Sequence, residues 1–365
     1  MSNYRYQEIA AALREQIQRR ELMGKLPGER PLMARFGVQR NTIRQALELL
    51  AQEGWLEIRP RSGVYARSAD DAARLDDGGT ILLVNAWNKA SNAINHVFLG
   101  LSAALEGSPV SVQRFNSQPR PGSRFHVYPS AEYIAANKVV GIALWAQNPT
   151  DVNALMELRD AVPLVLIDRR IMGFEADCVR SDDLAGGQML TEHLLSQGHR
   201  RIGFVGDEVF AETVQQRWRG YTLALEEAEI TPEPYLIALF AGIQEPNFSE
   251  TLKMLIAGNG DPLTALICSN DTTALLVLKY LQAQQIRVPE DMVVAGYGNL
   301  LSDYMDTIGL TTVEQPFEEI GKIAGELLIR RLTQARDWKR GPPKLLALPV
   351  CLVPRASTKQ AHSDS

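Results

Sequence analysis

Apolar positions in the first fifty residues recur at three- and four-residue intervals. Ile9, Ala12, Leu13 and Ile17 share one side of a helix predicted over about residues 6–19. Ile43, Ala46, Leu47 and Leu50 share one side of another that begins near Gln39. Between them, Leu26-Pro27-Gly28-Glu29 opens a short helix that stops at Gly37. After Gly54 the period changes. Trp55, Leu56 and Ile58, then Val64 and Tyr65, flank Pro60-Arg61-Ser62-Gly63, which reads as a hairpin with a basic tip. Two helices followed by such a hairpin make a winged helix-turn-helix, mainly α with a β wing, over residues 1–67. Residues 68–79, SADDAARLDDGG, are small, acidic and aperiodic and read as a linker.

From Thr80 short aliphatic runs alternate with helical ones. Strands are predicted at 81–84, 110–115, 139–145 and 162–167, with helices at 92–105 and 150–159. Residues 116–129, with three prolines and a glycine, form an irregular loop. A second series follows: helices at 183–196, 214–227, 247–257 and 272–284, and strands at 201–205, 235–240, 263–268 and 292–296. Such alternation means mostly parallel sheets covered on both faces, and two series in succession imply two α/β lobes over residues 80–358. The amphipathic stretch 317–333 packs on a lobe, a last strand lies near 345–353, and residues 359–365 form a polar, disordered tail.

Charge decides what the head does. Residues 1–68 carry 12 Lys+Arg against 7 Asp+Glu, whereas the whole chain carries 38 against 43. A basic head on an acidic body suits neutralisation of DNA phosphates by the head alone. Early in the second helix, Gln39, Arg40, Asn41, Arg44 and Gln45 face away from the apolar stripe. Arg pairs bidentately with guanine, and Asn and Gln with adenine, in a major groove. The plainer reading, a small helical domain with a solvated charged face, leaves the charge asymmetry unexplained.

Other classes are weakened. A chain of 365 residues, 45% hydrophobic, is ample for two or three cored domains. No apolar run follows Met1–Arg5 and none approaches the ~20 residues of a membrane span, so a cytoplasmic protein is expected, on the nucleoid when bound to its operator. Cys178, Cys268 and Cys351 are far apart, lack zinc spacing and read as core filling. There is no Gly-x-Ser-x-Gly elbow and no Walker loop, and His96, His126, His193, His199 and His362 are scattered. No catalytic residue, metal ligand or cofactor is assigned; a sugar-modifying enzyme is the distant alternative.

In open parallel sheets ligands sit beyond the carboxyl ends of the strands. Those positions hold Asn85, Ala86, Trp87 and Asn88; Trp145, Gln147 and Asn148; Asp168 and Arg169; Asn270 and Asp271; and Tyr297, Gly298 and Asn299. Amides, carboxylates and guanidiniums hold hydroxyls, and indoles take the apolar face of a sugar ring. Asn270 or Asp271 alone is as readily a helix cap. The convergence of several such positions favours a cleft.

The first of these patterns resembles the DNA-binding domain of the GntR family. The likeness is carried by YQEIAAALREQI, LPGER, FGVQRNTIRQAL and EGWLEIRPRSGVY. The resemblance implies DNA contact by Arg30, Arg40 and Arg44, with Gln39, Asn41 and Thr42 beside them, and a wing tip at Arg61, Ser62 and Gly63 entering the minor groove. Gly28 stands where the family usually has a capping Ser, a small loss because Gly is itself an acceptable cap. The body resembles the LacI/GalR effector domain, cousin of periplasmic sugar-binding proteins. Here the likeness runs through PLVLIDRR, VRSDDLAGGQMLTEHLLSQGHRRIGFVGD, TVQQRWRGYTLALEEAEI, LTALICSNDTTALLVLKYLQAQQIRVPEDMVVAGYGN and LTTVEQPFEEIGKIAGELLIRRL. It implies effector contact by Asp168, Arg217 and Asn270, and a structural role for His199 and Arg200. Gly298 departs from the family's usual Asp: either Asn299 substitutes for it, or Gly298 makes room for a bulkier ligand. Joined, the two parts have the architecture of the arabinose-repressor group. They imply a ligand-responsive regulator, with repression the expected sign, acting as a homodimer on a pseudo-palindromic double-stranded operator. The implied effector is a mono- or oligosaccharide, with a nucleobase corepressor as the alternative.

Overall fold

The computed structural model of the chain describes residues 5–18, 21–22, 24–52, 55–59, 63–66, 78–86, 92–118, 122, 125–146, 150–242, 247–258, 262–300, 302–333 and 342–359. Most of the 68–79 linker and nearly all of the 359–365 tail lie outside them, as do Arg61, Ser62, Trp87, Asn88, Gln147 and Asn148.

In the head, α1 (Arg5–Gln18), α2 (Glu29–Phe36) and α3 (Arg40–Gln52) enclose Ile9, Leu13, Ile17, Leu32, Ile43, Leu47 and Leu50, all buried. The turn between α2 and α3 is set by Gly37, whose φ of 61° is left-handed and whose N–H closes onto Met33 O at 2.9 Å. A three-stranded sheet, β1 (Gly24–Lys25), β2 (Leu56–Arg59) and β3 (Gly63–Ala66), has β3 in the centre and all pairs antiparallel.

The body has two parallel sheets. The N-lobe sheet contains β4 (Gly79–Asn85), β5 (Val110–Asn116), β6 (Val139–Trp145), β7 (Leu164–Ile167) and β8 (Asp177–Ser181), completed by β14 (Leu345–Leu348), in the order β14-β8-β7-β6-β4-β5. The C-lobe sheet contains β9 (Ile202–Gly206), β10 (Ile237–Leu239), β11 (Ala265–Cys268) and β12 (Val293–Ala295), in the order β10-β9-β11-β12. The near-continuous apolar runs of the central strands β6, β9 and β11 are buried on both faces, as parallel strands require. Helices α4 (Ala93–Ala104), α5 (Ala131–Ala136) and α6 (Val152–Ala161) belong to the first lobe. The second carries α7 (Asp183–Ser196), α8 (Glu212–Glu227), α9 (Phe248–Ala257), α10 (Asp271–Ala283) and α11 (Ser302–Ile308). Then β13 (Thr312–Glu314) leads to α12 (Phe317–Thr333), which returns to the first lobe and packs along α4.

Three readings change. Residues 345–353 are not one strand but two. Pro349 interrupts the run, and β15 (Cys351–Val353) pairs antiparallel with β13, away from β14. Strand β8, polar at Asp177 and Arg180, escaped the apolar pattern. And although Cys178 and Cys268 are buried, Cys351 is exposed, so it fills no core. The chain therefore passes between lobes three times: after Ser181, between Glu314 and Phe317, and between Leu348 and Cys351. These crossovers are tied together: Asp182 N–H donates to Leu348 O at 2.8 Å, and Gln315 Nε2 to Ser181 Oγ at 3.1 Å.

Candidate functional site

On the head, the amphipathic division of α3 turns Arg40, Asn41, Arg44 and Gln45 to solvent, opposite buried Ile43, Ala46, Leu47 and Leu50. Gln39 and Arg30 are also exposed, and Thr42 is half-buried. Glu29, which the sequence reading did not single out, holds two of them. Both Arg40 Nε and Arg44 Nε donate to its carboxylate, the latter at 2.8 Å. The two guanidiniums, Arg44 first, hold the Glu29 carboxyl below its usual range. One acid thus arrays two solvent-facing arginines from the neighbouring helix. At the wing, Gly63 has φ +118°, and a Cβ there would sit 2.9 Å from Lys25 Cε. The positive φ at the start of β3 favours glycine, while the flexible Lys25 stem can move aside from a Cβ.

The cleft lies between the lobes, at the strand ends. A cavity of about 250 Å3 is walled by Trp145, Asp168, Arg169 and Phe317 from one lobe, and by Glu208, Arg217, Asn270 and Tyr297 from the other. Trp145 ends β6 and stacks on Phe317, the first residue of α12, at 5.3 Å between ring centroids and 28°. Asp168 follows β7 in a left-handed conformation, φ +72°. Such a conformation is uncommon for a residue with a side chain. Its carboxylate accepts from Arg169 Nε and Nη2 at 3.3 and 3.2 Å, and Arg169 Nη1 lies 3.7 Å from Glu208 across the cleft.

Arg217, buried on α8, donates through Nε to Asp183 Oδ1 at 2.8 Å and through Nη1 to Ser269 O at 2.7 Å. Its guanidinium carbon is 3.9 Å from the centre of the Tyr297 ring. Burial pushes the Asp183 carboxyl up to about 6, the Arg217 charge offsetting this only in part. Burial likewise holds the Tyr297 hydroxyl well above its ordinary range. Asn270 is both wall and cap: its Oδ1 accepts from Thr273 N–H at 2.8 Å at the start of α10. Asp271, also on the wall, accepts from Thr312 Oγ1 at 2.6 Å and from Asn299 N–H at 2.7 Å, which makes it a strut between segments.

The structure thus gathers Trp145, Asp168, Arg217 and Asn270 around one cavity. Asn85 closes β4 beside Trp145 in the sheet register, outside the cavity walls. Gly298 and Asn299 line an adjoining space instead, Asn299 Nδ2 donating to Glu314 and its Oδ1 accepting from Arg355 Nη2 at 3.0 Å. Trp87 lies outside the described residues. The sequence reading gave no site role to Glu29, Asp183, Glu208, Gln315 or Phe317. Only Phe317 carried a signal, as the aromatic that opens an amphipathic helix. His199 is buried with Nδ1 3.0 Å from Thr264 Oγ1, away from the cleft.

A winged helix-turn-helix joined to a two-lobed α/β body with a polar, aromatic-walled cleft defines a class: a DNA-binding regulator controlled by a small effector, not an enzyme. The comparisons agree. Residues 5–66 match the family of bacterial regulatory proteins of the gntR type, and residues 191–358 match the periplasmic binding protein-like domain. The arabinose metabolism transcriptional repressor of Geobacillus stearothermophilus is 27% identical over 92% of this chain and 92% of its own length. The HTH-type transcriptional repressor PurR of Haemophilus influenzae (strain PittEE) is 30% identical over 62% of this chain and 67% of its own. The crystal structure of a LacI family transcriptional regulator from Mycobacterium smegmatis superposes with TM-score 0.63 at 25% identity, covering 76% of this chain and 98% of that one. The chain belongs to the transcription regulators that join a GntR-family DNA-binding domain to a periplasmic-binding-protein-like effector domain.

Proposed function

We propose that this regulator represses genes of sugar metabolism in the cytoplasm, as a homodimer on a pseudo-palindromic operator, and that a neutral sugar in the interlobe cleft is its effector. Residues 1–67 are the DNA-binding head, 68–79 the tether and 80–358 the sensing and dimerising body. Arg30, Arg40, Arg44, Gln39, Asn41 and Thr42 meet the major groove, and the wing at Arg61, Ser62 and Gly63 meets the minor groove.

The observation that carries the effector reading is the pairing of charge in the cleft. Arg217 is matched by Asp183, and Arg169 by Asp168 and Glu208, so neither guanidinium offers a net charge to an anion. What remains are carboxylate lone pairs, amide groups and unspent N–H donors beside the Trp145–Phe317 stack. That set recognises hydroxyls and the apolar face of a sugar ring. The similarity to arabinose metabolism repressors supports the same class of ligand.

The test is fluorescence anisotropy of the purified protein on the DNA upstream of its own gene, with and without pentoses, hexoses and purine bases. Binding weakens as salt rises, and a sugar changes operator affinity where purines do not. Arg44→Ala weakens operator binding by roughly 1–3 kcal/mol if it reads a base. Arg217→Lys retains a charge for Asp183 but loses the planar fork, and abolishes the sugar response with operator binding intact. A response to purines alone would overturn the sugar reading in favour of a nucleobase corepressor.

A further inference from the structure

Strand β1, only Gly24 and Lys25, is too short to show in the alternation of the sequence. In the fold it joins the wing hairpin. It pairs antiparallel with β3, Gly24 opposite Ala66 and Lys25 opposite Tyr65. Leu26 N–H then donates to Val64 O at 2.8 Å and prolongs the pairing. Residues directly opposite in such a pair share one face of the sheet, and neighbours along a strand alternate. Leu26 is buried in the core of the head, and Val64 and Ala66 pack against that core. Lys25 and Tyr65 therefore occupy the outward face.

There the Lys25 side chain lies over the point where β3 leaves the turn. The place a Cβ would take on Gly63 is 2.9 Å from Lys25 Cε, 4.0 Å from its Cδ and 3.7 Å from its Nζ. Nζ also stands 5.9 Å from the centre of the Tyr65 ring. The side chain is exposed. Among the described residues its ammonium pairs with no carboxylate, whereas Arg40 and Arg44 share Glu29. The bare backbone of Gly63 thus gives an apolar stem a place to rest and sets an uncompensated cation beside the wing tip.

We propose that Lys25 is a phosphate contact of the wing, supplied by a segment that precedes the helix-turn-helix. The element that meets the minor groove is then a three-stranded unit and not the hairpin alone. An ammonium is a compact point charge that binds a phosphate oxygen without a fixed orientation. Such a contact fixes the protein on the duplex and reads no base. The inference rests on the DNA-binding reading above and adds a residue whose effect is independent of sequence.

Fluorescence anisotropy of the full-length protein tests it, on the DNA upstream of its own gene and on a random duplex of equal length. Each is titrated across about 50–200 mM salt. Lys25→Met keeps a stem across Gly63 and deletes the charge; Lys25→Arg keeps the charge. Lys25→Met is expected to weaken binding to both duplexes by the same factor, roughly three- to tenfold near 100 mM salt, and to reduce the slope of log K against log salt by about 0.9. Lys25→Arg recovers both, and the melting temperature of either variant matches the wild type. An unchanged slope in Lys25→Met, or a loss confined to the upstream DNA, overturns the phosphate contact. So does a loss accompanied by a lowered melting temperature and not recovered by Lys25→Arg, which would assign Lys25 to the packing of the wing. Each of these leaves the DNA-binding reading standing. Wild-type protein that attaches to neither duplex at low salt overturns both.

Discussion

Asp183 and Arg217 are both removed from solvent, and the second carboxylate oxygen of Asp183 has no partner among the described residues. Burial therefore dominates, and the carboxyl titrates near 6 in the fold against about 3.9 in an unfolded chain. Between those values the fold binds more protons than the unfolded chain. The stability owed to this group thus falls as pH rises from about 4 to about 6 and is level above about 7. Urea unfolding of the wild type and Asp183→Asn at pH 4.5 and pH 7 reads this directly. The wild type gains relative to the variant at the lower pH; a constant difference would mean that the carboxyl titrates normally. Glu29 is the opposite case. Half-buried and held by two arginines, it stays ionised and fixes Arg40 and Arg44.

Burial of Arg217 depends on how closely two helices approach. A Cβ on Gly187 of α7 would sit 2.2 Å from Arg217 O, and one on Gly220 of α8 would sit 2.2 Å from Leu184 O. Glycine inside a helix costs about 1 kcal/mol relative to alanine. Here the backbone contact offsets that cost, because it carries Arg217 down to Asp183. Gly187→Ala should force the helices apart, lower stability by about 1–3 kcal/mol and weaken effector binding, although residue 187 is not a cavity wall. Thermal unfolding and titration of the same variant test both halves, and unchanged affinity would detach the helix contact from the cleft. The partnership of β8 and α12 is similar. Arg331 Nε and Nη2 donate to the Asp177 carboxylate at 2.8 and 2.7 Å. Arg331→Met leaves Asp177 buried without its charge partner and is expected to cost about 3–5 kcal/mol in chemical unfolding.

At the scale of the molecule, the lobes are clasped across the cleft's edge by Glu212 in the first turn of α8. Its carboxylate accepts from the Arg170 side chain and backbone N–H, and from Arg180 Nη1 at 2.9 Å. Both arginines come from the first lobe, and Arg170 in particular draws the Glu212 carboxyl down against the effect of burial. A ligand that prefers closed lobes shares its binding energy with this clasp. Glu212→Gln, by weakening it, should reduce effector affinity several-fold and leave operator affinity in the absence of effector within twofold. Equal effector affinity in wild type and variant would show that the clasp does not bias closure. No described helix is long and apolar enough to cross a membrane.

Periodicity read from sequence located most of the helices and strands, because each repeat reports a local choice of face to bury, and it placed Trp145, Asp168 and Asn270 at strand ends. Charge counted along the chain separated a basic head from an acidic body. Patterns of that kind are blind to residues whose reason lies far along the chain. Strand β8 looked polar because Asp177 is answered by Arg331, 154 positions away. Gln315 and Ser181 meet across 134 positions, and Arg217 and Asp183 across 34. The triple crossing between lobes, the split of residues 345–353 into two sheets and the space beside Gly298 exist only once distant segments pack. The cost of burying a charge or a bare acceptor is settled by its neighbours in space, and these the chain acquires only on folding.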